Sequence, residues 1–333
     1  MNKKVRTIFL FCFICFSSII ILEFIARYII RQPYYAFPEG YFINNEFYGY
    51  ELAENFKGKY SQPEFTIDIS TNSQGLRDVE HYSGKGEFKI LALGDSFSFG
   101  VGVELEDTYL SGLEQSLNDK NGTKFSIIKA GVVGYSTFNE KIYLEKKGLN
   151  YHPDMVVIQF WWDDLGIGRV TYLAETGFLT SGKISNVQLR IFLNRHFRSY
   201  ALIRRLFTLA ASKSLFAPRI PAITENQASL NDEFSVTLEQ FKEIISFCSN
   251  NQIPYLFLLI PPKEFLCDDN AIQCRWRLFC ELLSKNNVRY FDALPSLRAA
   301  VLKGEQVFFK IDPHLNKNGH KIIAKVLEQQ LFK

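Results

Sequence analysis

Short apolar runs recur along most of the chain: Lys89–Leu93, Phe125–Lys129, Met155–Phe160, Tyr255–Ile260 and Arg289–Phe291. Each is the length of one strand buried on both faces. Between them lie stretches with helical spacing of apolar residues, near 107–119, 138–148, 236–250 and 272–286, and a final helix follows residue 316. Apolar strands alternating with helices predict a parallel sheet covered on both sides. Five such strands predict a flavodoxin-like, three-layer α/β/α arrangement with a five-stranded parallel sheet, which binds its ligands at the carboxyl ends of the strands.

Three segments break this rhythm. Ile8–Leu22 carries no charge, with Lys3, Lys4 and Arg6 before it and Glu23 and Arg27 after it; Phe24, Ile25, Tyr28, Ile29 and Ile30 prolong its apolar length. This predicts an N-terminal transmembrane helix within residues 1–30. The stretch Ser17–Leu22 offers a poor cleavage site, which favours an uncleaved signal-anchor over a cleaved signal or a buried soluble helix. Basic residues ahead of the span would hold that end in the cytoplasm and export the rest to a periplasmic or extracytoplasmic location. Residues 31–87 are aromatic and turn-rich and read as a stalk and N-terminal extension. Within them Phe65–Ser70 alternates like a half-exposed strand, and Gly75 falls where a turn calls for positive φ. The remainder, 88–333, reads as one domain with a helical insertion at about 166–235. Between Thr176 and Thr224 the insertion has no acidic residue, yet it carries Lys183, Arg190, Arg195, Arg198, Arg204, Arg205, Lys213 and Arg219. Amphipathic helices with a solvated basic face, a membrane-surface contact and a polyanionic substrate all fit this pattern.

Charge excludes one class of partner. The net charge of +3 comes down to zero once Lys3, Lys4 and Arg6 are set aside, so nothing favours nucleic acid. The 31 Phe and 16 Tyr point to aromatic packing in the core and to a surface suited to sugars. Two of the six cysteines, Cys12 and Cys15, fall in the apolar span. Cys267 and Cys274 bracket a polar loop and could close a small disulfide ring; four buried free thiols, with Cys248 and Cys280, is the alternative. No histidine stands near these cysteines as a metal ligand would.

Candidate chemistry lies at two distant points. The first apolar run leads into Gly94-Asp95-Ser96-Phe97-Ser98-Phe99-Gly100-Val101-Gly102, which presents Ser96 at a strand-to-helix turn. Roughly two hundred residues later, Asp312-Pro313-His314 precedes the final helix. A serine hydroxyl needs a base to take its proton, and an imidazole needs a partner to orient it. Ser96, His314 and Asp312 are therefore candidates for nucleophile, base and orienting acid. In the extended Asp-x-His both side chains point the same way. His320, His81, His152 and His196 are expected at the surface. Asp95 is expected to accept loop N–H groups, and Asp164 to cap a turn.

Together with Asn72-Ser73-Gln74-Gly75-Leu76-Arg77, these residues resemble the SGNH (GDSL-like) hydrolase superfamily over about residues 70–330, apart from the insertion. The resemblance is greatest to its membrane-anchored bacterial members, glycan O-acetyl esterases and O-acetyltransferases. It implies acyl-ester chemistry without a cofactor, on an acylated glycan or a small ester. The Ser96 backbone N–H would be one oxyanion donor and a backbone glycine after the second strand the second, carried over here to Gly134 with Gly131 as alternative. The family's third donor is an asparagine, but here Asp163 takes its place. At about 4 Å and an effective dielectric of 20, an ionised carboxylate would repel an oxyanion by about 4 kcal/mol. Asp163 is thus expected to be a protonated donor beside Trp161 and Trp162, or to point away while another group serves, or to mark an impaired site. The Asp-x-His spacing resembles the O-acetyl-transfer branch, which would need a membrane partner protein as acyl donor. A non-catalytic glycan-binding envelope protein is the third reading.

Overall fold

The computed structural model describes residues 3–29, 37–62, 64–81, 86–120, 122–166, 171–173, 179–181, 193, 196–200, 202–203, 206, 227–266 and 270–331. The chain divides into two compact units. One comprises Met1–Ala36, Ser61–Pro63 and Lys183–Ile220. The other comprises Phe37–Tyr60, Glu64–Gly182 and Pro221–Lys333.

In the first unit, helix α1 (Lys3–Ile29) is long and apolar enough to cross a membrane. Near its end, Glu23 accepts hydrogen bonds from the backbone amides of Arg198 and Ser199 at 3.0 and 2.9 Å and from the Ser199 hydroxyl at 2.7 Å. The carboxylate thereby satisfies amides that a helix start leaves unpaired. Of the insertion's basic residues, only Arg198 lies among the described residues. The others fall outside them, as does Cys267, so the Cys267–Cys274 pairing lies outside the described residues; among those residues Cys274 has no disulfide partner.

The second unit begins with two small ribbons, β1 (Phe42–Asn45) with β2 (Gly49–Leu52), and β3 (Lys57–Gln62, its last two residues counted with the first unit) with β4 (Phe65–Ser70). The expected stalk is in its described part a packed layer of this unit. Tyr41, Phe42, Tyr50 and Leu52 are buried, and Phe37 stacks on Tyr60 at 4.0 Å and meets Phe99 edge-on at 5.6 Å. Burying such rings is worth about 1.5–3 kcal/mol each, too much to leave them on an exposed tether.

The sheet follows: β5 (Glu87–Gly94), β6 (Lys124–Gly131), β7 (Met155–Trp161), then a short antiparallel ribbon of β8 (Thr171–Leu173) and β9 (Leu179–Ser181), then β10 (Tyr255–Ile260) and β11 (Tyr290–Asp292). β5, β6, β7, β10 and β11 form one sheet in the order β11-β10-β7-β5-β6, every neighbour parallel. Counted along the chain this is the flavodoxin-like order 2-1-3-4-5. Helices α2 (Ser96–Phe99), α3 (Tyr109–Lys120), α4 (Thr137–Lys146), α5 (Gln227–Asn250), α6 (Asn270–Lys285), α7 (Leu294–Leu302) and α8 (Lys317–Gln330) connect and cover the strands.

Alternation along the strands assigns the two faces. Ile90, Ala92, Met155, Val157, Leu256 and Leu258 pack with Leu110 and Leu113 of α3, Leu297 of α7 and Ile323 and Leu327 of α8. On the other face, Phe160 and Phe257 meet Phe241 of α5, the latter stacked at 3.9 Å, and Phe160 also meets Phe279 of α6. The insertion differs from expectation at both described ends. Thr171–Leu173 and Leu179–Ser181 pair as strands, as suits their β-branched and aromatic residues, and α5 begins nine residues earlier than its apolar spacing marks.

Candidate active site

β5 is the middle strand of the first βαβ pairings, and it ends where Gly94 pairs with Gly131 of β6. Asp95 then caps α2, its Oδ1 accepting the Phe97 amide at 2.8 Å, and Ser96 opens the helix at the carboxyl edge of the sheet. Gly94 is required by close approach: a Cβ there would stand 2.1 Å from Ser98 Oγ and 2.7 Å from Gln159 Oε1. Those two atoms belong to a buried network under the helix. Ser98 Oγ donates to Gln159 Oε1 at 3.1 Å and lies 2.6 Å from Tyr109 Oη, while the Tyr109 amide donates to His320 Nδ1 at 3.1 Å. His320 is therefore a core residue and not a surface one. It is 1% exposed and stacked on Tyr109, and burial followed by the charges of His314 and Arg77 lowers its pKa to about 3. It is neutral and accepts a bond that an imidazolium could not.

The last loop folds back on itself through a bridge between Phe308 and Leu315, with the Phe309 amide donating to the His314 carbonyl at 3.0 Å. It brings together the three residues singled out in the sequence. His314 Nε2 lies 2.7 Å from Ser96 Oγ, and His314 Nδ1 lies 2.6 Å from Asp312 Oδ1, which also accepts the His314 amide at 3.0 Å. The tautomer that satisfies both ring contacts carries its proton on Nδ1 and leaves Nε2 to accept from the serine. Phe97 packs against the imidazole, centroids 5.0 Å apart, and Trp161 packs against Phe97. Burial raises the pKa of Asp312, but its bond to His314 and the charges of His314 and Lys263 outweigh this and hold it below the usual carboxylate value. The carboxylate stays ionised opposite the ring. Ser96 is 9% exposed, enough to meet a substrate from one side.

Around Ser96 and His314 lies a cavity of about 440 Å³. Asp95, Val133, Gly134, Tyr135, Trp161, Asp163, Asp164, Thr171, Leu179 and Pro313 complete its walls. Gly134 has φ +80°, a conformation strained for any residue with a side chain, and a Cβ there would stand 2.8 Å from Tyr50 Oη. Asp163 lines the cavity but is exposed. The apolar enclosure expected of a protonated donor beside Trp161 and Trp162 is absent, since those rings cover other groups. Trp161 lies on Phe97, and Trp162 packs among Phe234, Phe265 and Trp276.

Behind the cavity stands a group of buried acids. Burial, opposed by the Phe97 amide and His314, pushes Asp95 up to about 6. Asp164 is also raised well above the usual carboxylate value, by burial and then by the charge of Asp95; its Oδ2 accepts the Trp161 amide at 3.4 Å. Glu140 of α4 is 1% exposed, and both its carboxyl oxygens lack a hydrogen-bond partner among the described residues. Burial and then Asp164 and Asp95 raise its pKa well above the usual carboxylate value. No group of three His, Cys, Asp or Glu side chains among the described residues could hold a metal ion.

The segment Asn72–Arg77 supports the helix that carries Ser96 from outside. Asn72 Oδ1 accepts the amides of Gln74 and Leu76, and Gly75 takes φ +72° as its turn position predicts. This delivers Arg77 into the core, where its guanidinium donates to the carbonyls of Phe99, Gly100 and Val103 at 2.7, 3.0 and 2.8 Å and lies over the Phe99 ring. Tyr50 was not foreseen from the sequence. Its hydroxyl donates to the Val133 carbonyl at 2.9 Å, and its own carbonyl accepts from Tyr135 at 2.6 Å, so it brackets Gly134.

No protein-family model and no curated protein matches the sequence. Solved structures similar to this chain include a lipolytic protein of the G-D-S-L family from Veillonella parvula, at 12% identity and TM-score 0.43 over 74% of this chain and 98% of that one. The acetyl xylan esterase AlAXEase is 16% identical, with TM-score 0.44 over 72% of this chain and 98% of its own. An acetylxylan esterase from Geobacillus stearothermophilus is 13% identical, with TM-score 0.43 over 73% of this chain and 93% of its own.

Proposed function

We propose that this chain is a serine-dependent acyl esterase of the SGNH type that removes O-acetyl groups from an exported or cell-envelope glycan. One observation carries the reading: an unbroken contact from Ser96 Oγ through both nitrogens of His314 to Asp312, at 2.7 and 2.6 Å. Both distances fall within the reach that proton transfer requires.

In this mechanism Ser96 Oγ attacks the carbonyl carbon of the ester as its proton passes to His314 Nε2. Asp312 stabilises the imidazolium through Nδ1–H. The backbone N–H groups of Ser96 and Gly134 face the oxyanion. The tetrahedral intermediate collapses with cleavage of the bond to the sugar oxygen, which takes the proton from His314 and departs as a hydroxyl. Water then attacks the acyl-serine, again giving a proton to His314, and the acid is released as Ser96 is re-formed. The proposed role of Asp163 is on the cavity rim, outside the oxyanion hole, in keeping with its exposure. The glycan comes from the sequence resemblance and from the apolar helix α1, read as a signal-anchor that exports the enzyme and tethers it to the membrane. Hydrolysis of p-nitrophenyl acetate tests the chemistry. Ser96→Ala is expected to lower the rate at least a thousandfold, and equal rates in variant and native protein would end the proposal.

The Asp-x-His spacing favours a second reading in which a sugar hydroxyl replaces water and accepts the acetyl group. Product analysis with an acceptor oligosaccharide separates the two.

A further inference from the structure

The loop that carries Asp312 and His314 is held by groups outside it. Three consecutive amides turn toward one side chain: the Lys310 N–H donates to Glu64 Oε1 at 2.8 Å, and the Ile311 and Asp312 N–H groups each donate to Glu64 Oε2 at 2.7 Å. On the carbonyl side, Lys263 Nζ donates to the Phe309 and Lys310 oxygens, both at 2.7 Å. A carboxylate and an ammonium thus grip neighbouring peptide groups of one short stretch. Hydrogen bonds to an ionised partner are roughly twice as strong as neutral ones.

Glu64 stands at the start of β4, 248 residues before Asp312 in sequence. One of the three amides it receives belongs to Asp312 itself, so its hold acts on the residue whose carboxylate meets the imidazole. The contact between Asp312 Oδ1 and His314 Nδ1 is short and directional at 2.6 Å. A misplacement of about 1 Å in such a constellation costs on the order of a hundredfold in rate.

We infer that Glu64 is a positioning residue of the active site, fixing the backbone of residues 310–312 so that Asp312 meets His314. The inference rests on the catalytic reading of Ser96, His314 and Asp312. It assigns the ribbon of β3 and β4 a part in catalysis beyond covering the core.

Glu64→Gln tests it. The amide retains one acceptor oxygen and turns an NH2 toward amides that need an acceptor, so at least one of the three bonds is lost. Two readouts are taken: kcat and KM for p-nitrophenyl acetate, and the downfield proton resonance of His314 Nδ1–H, assigned by its absence in His314→Gln. The expected result is a kcat tenfold to a hundredfold lower, a KM within about twofold of native, and a shifted or missing resonance. A kcat within twofold of native with the resonance in place overturns the inference, as does a loss confined to KM. Should Glu64→Gln not fold, Glu64→Asp, which keeps the charge on a shorter arm, is judged by the same readouts. Ser96→Ala keeps the resonance and loses hydrolysis. If the native protein does not hydrolyse the ester, the proposed function fails, and the resonance alone decides the case for Glu64.

Discussion

Asp95 offers a test of how the fold accommodates its buried acids. Its carboxyl lies wholly inside the protein, and burial, with Asp163 adding to it, lifts its pKa from 3.8 to about 6. The folded state therefore binds a proton more readily than the unfolded state does. The resulting contribution to stability is complete below about pH 4 and is lost as pH rises through about 6. A displacement of about two units corresponds to ~3 kcal/mol at 1.36 kcal/mol per unit, all of it lost by pH 8. Asp95→Asn holds the side chain in the neutral form and keeps an oxygen for the Phe97 amide. The variant is expected to exceed the native protein in stability by about 3 kcal/mol at pH 8 and by less than about 1 kcal/mol at pH 4. Urea unfolding in detergent, followed by fluorescence of Trp161, Trp162 and Trp276, measures the difference at both values; all three tryptophans belong to the sheet-bearing unit. A variant less stable than native at pH 8, or a gap that does not change with pH, would refute the reasoning.

Two further substitutions probe the site. Gly94→Ala places a methyl group 2.1 Å from Ser98 Oγ and 2.7 Å from both Ser98 Cβ and Gln159 Oε1, so the buried network beneath Ser96 must shift to admit it. It is expected to destabilise the protein by about 1–3 kcal/mol in the same unfolding assay and to lower kcat at least tenfold; a fully active protein would contradict the packing described. Asp163→Asn removes a charge that solvent screens at the cavity rim, so kcat on a neutral ester is expected to stay within about threefold of native. A hundredfold gain in steady-state rate would instead put the carboxylate against the oxyanion.

The sheet was legible because its strands are buried on both faces and therefore appear as continuous apolar runs, with Tyr255–Ile260 matching residue for residue. Helix α7 was missed: nine residues long and opening Leu294-Pro295, it offers little periodicity to read. The ribbon of β8 and β9 is only three residues deep on each side, too short for alternation to show. His320 had a signal that went unused. It shares the buried stripe of α8 with Ile323, Ala324 and Leu327, at the spacing of one helical face. Glu140 occupies the corresponding place between Thr137, Tyr143 and Leu144 on α4, where a residue type expected at the surface sits in a buried stripe. The two segments that meet through Ser96, His314 and Asp312 were singled out by residue type and spacing, but no local pattern announces that a glutamate at 64 or a tyrosine at 50 will meet loops far along the chain. Such contacts arise only once the sheet has set the loops side by side.

The leading ribbons carry a consequence for how this protein can vary. Tyr50 ties the glycine turn after β6, Arg77 the turn after α2, and Glu64 the final loop. Three moorings on one contiguous stretch make it a single heritable part: exchanged whole between relatives it could travel with its fit intact, whereas piecemeal exchange would leave one of the loops adrift. Cut away at residue 88, the remaining chain would keep all five strands and every residue of the serine relay, and still lack the frame that aims them.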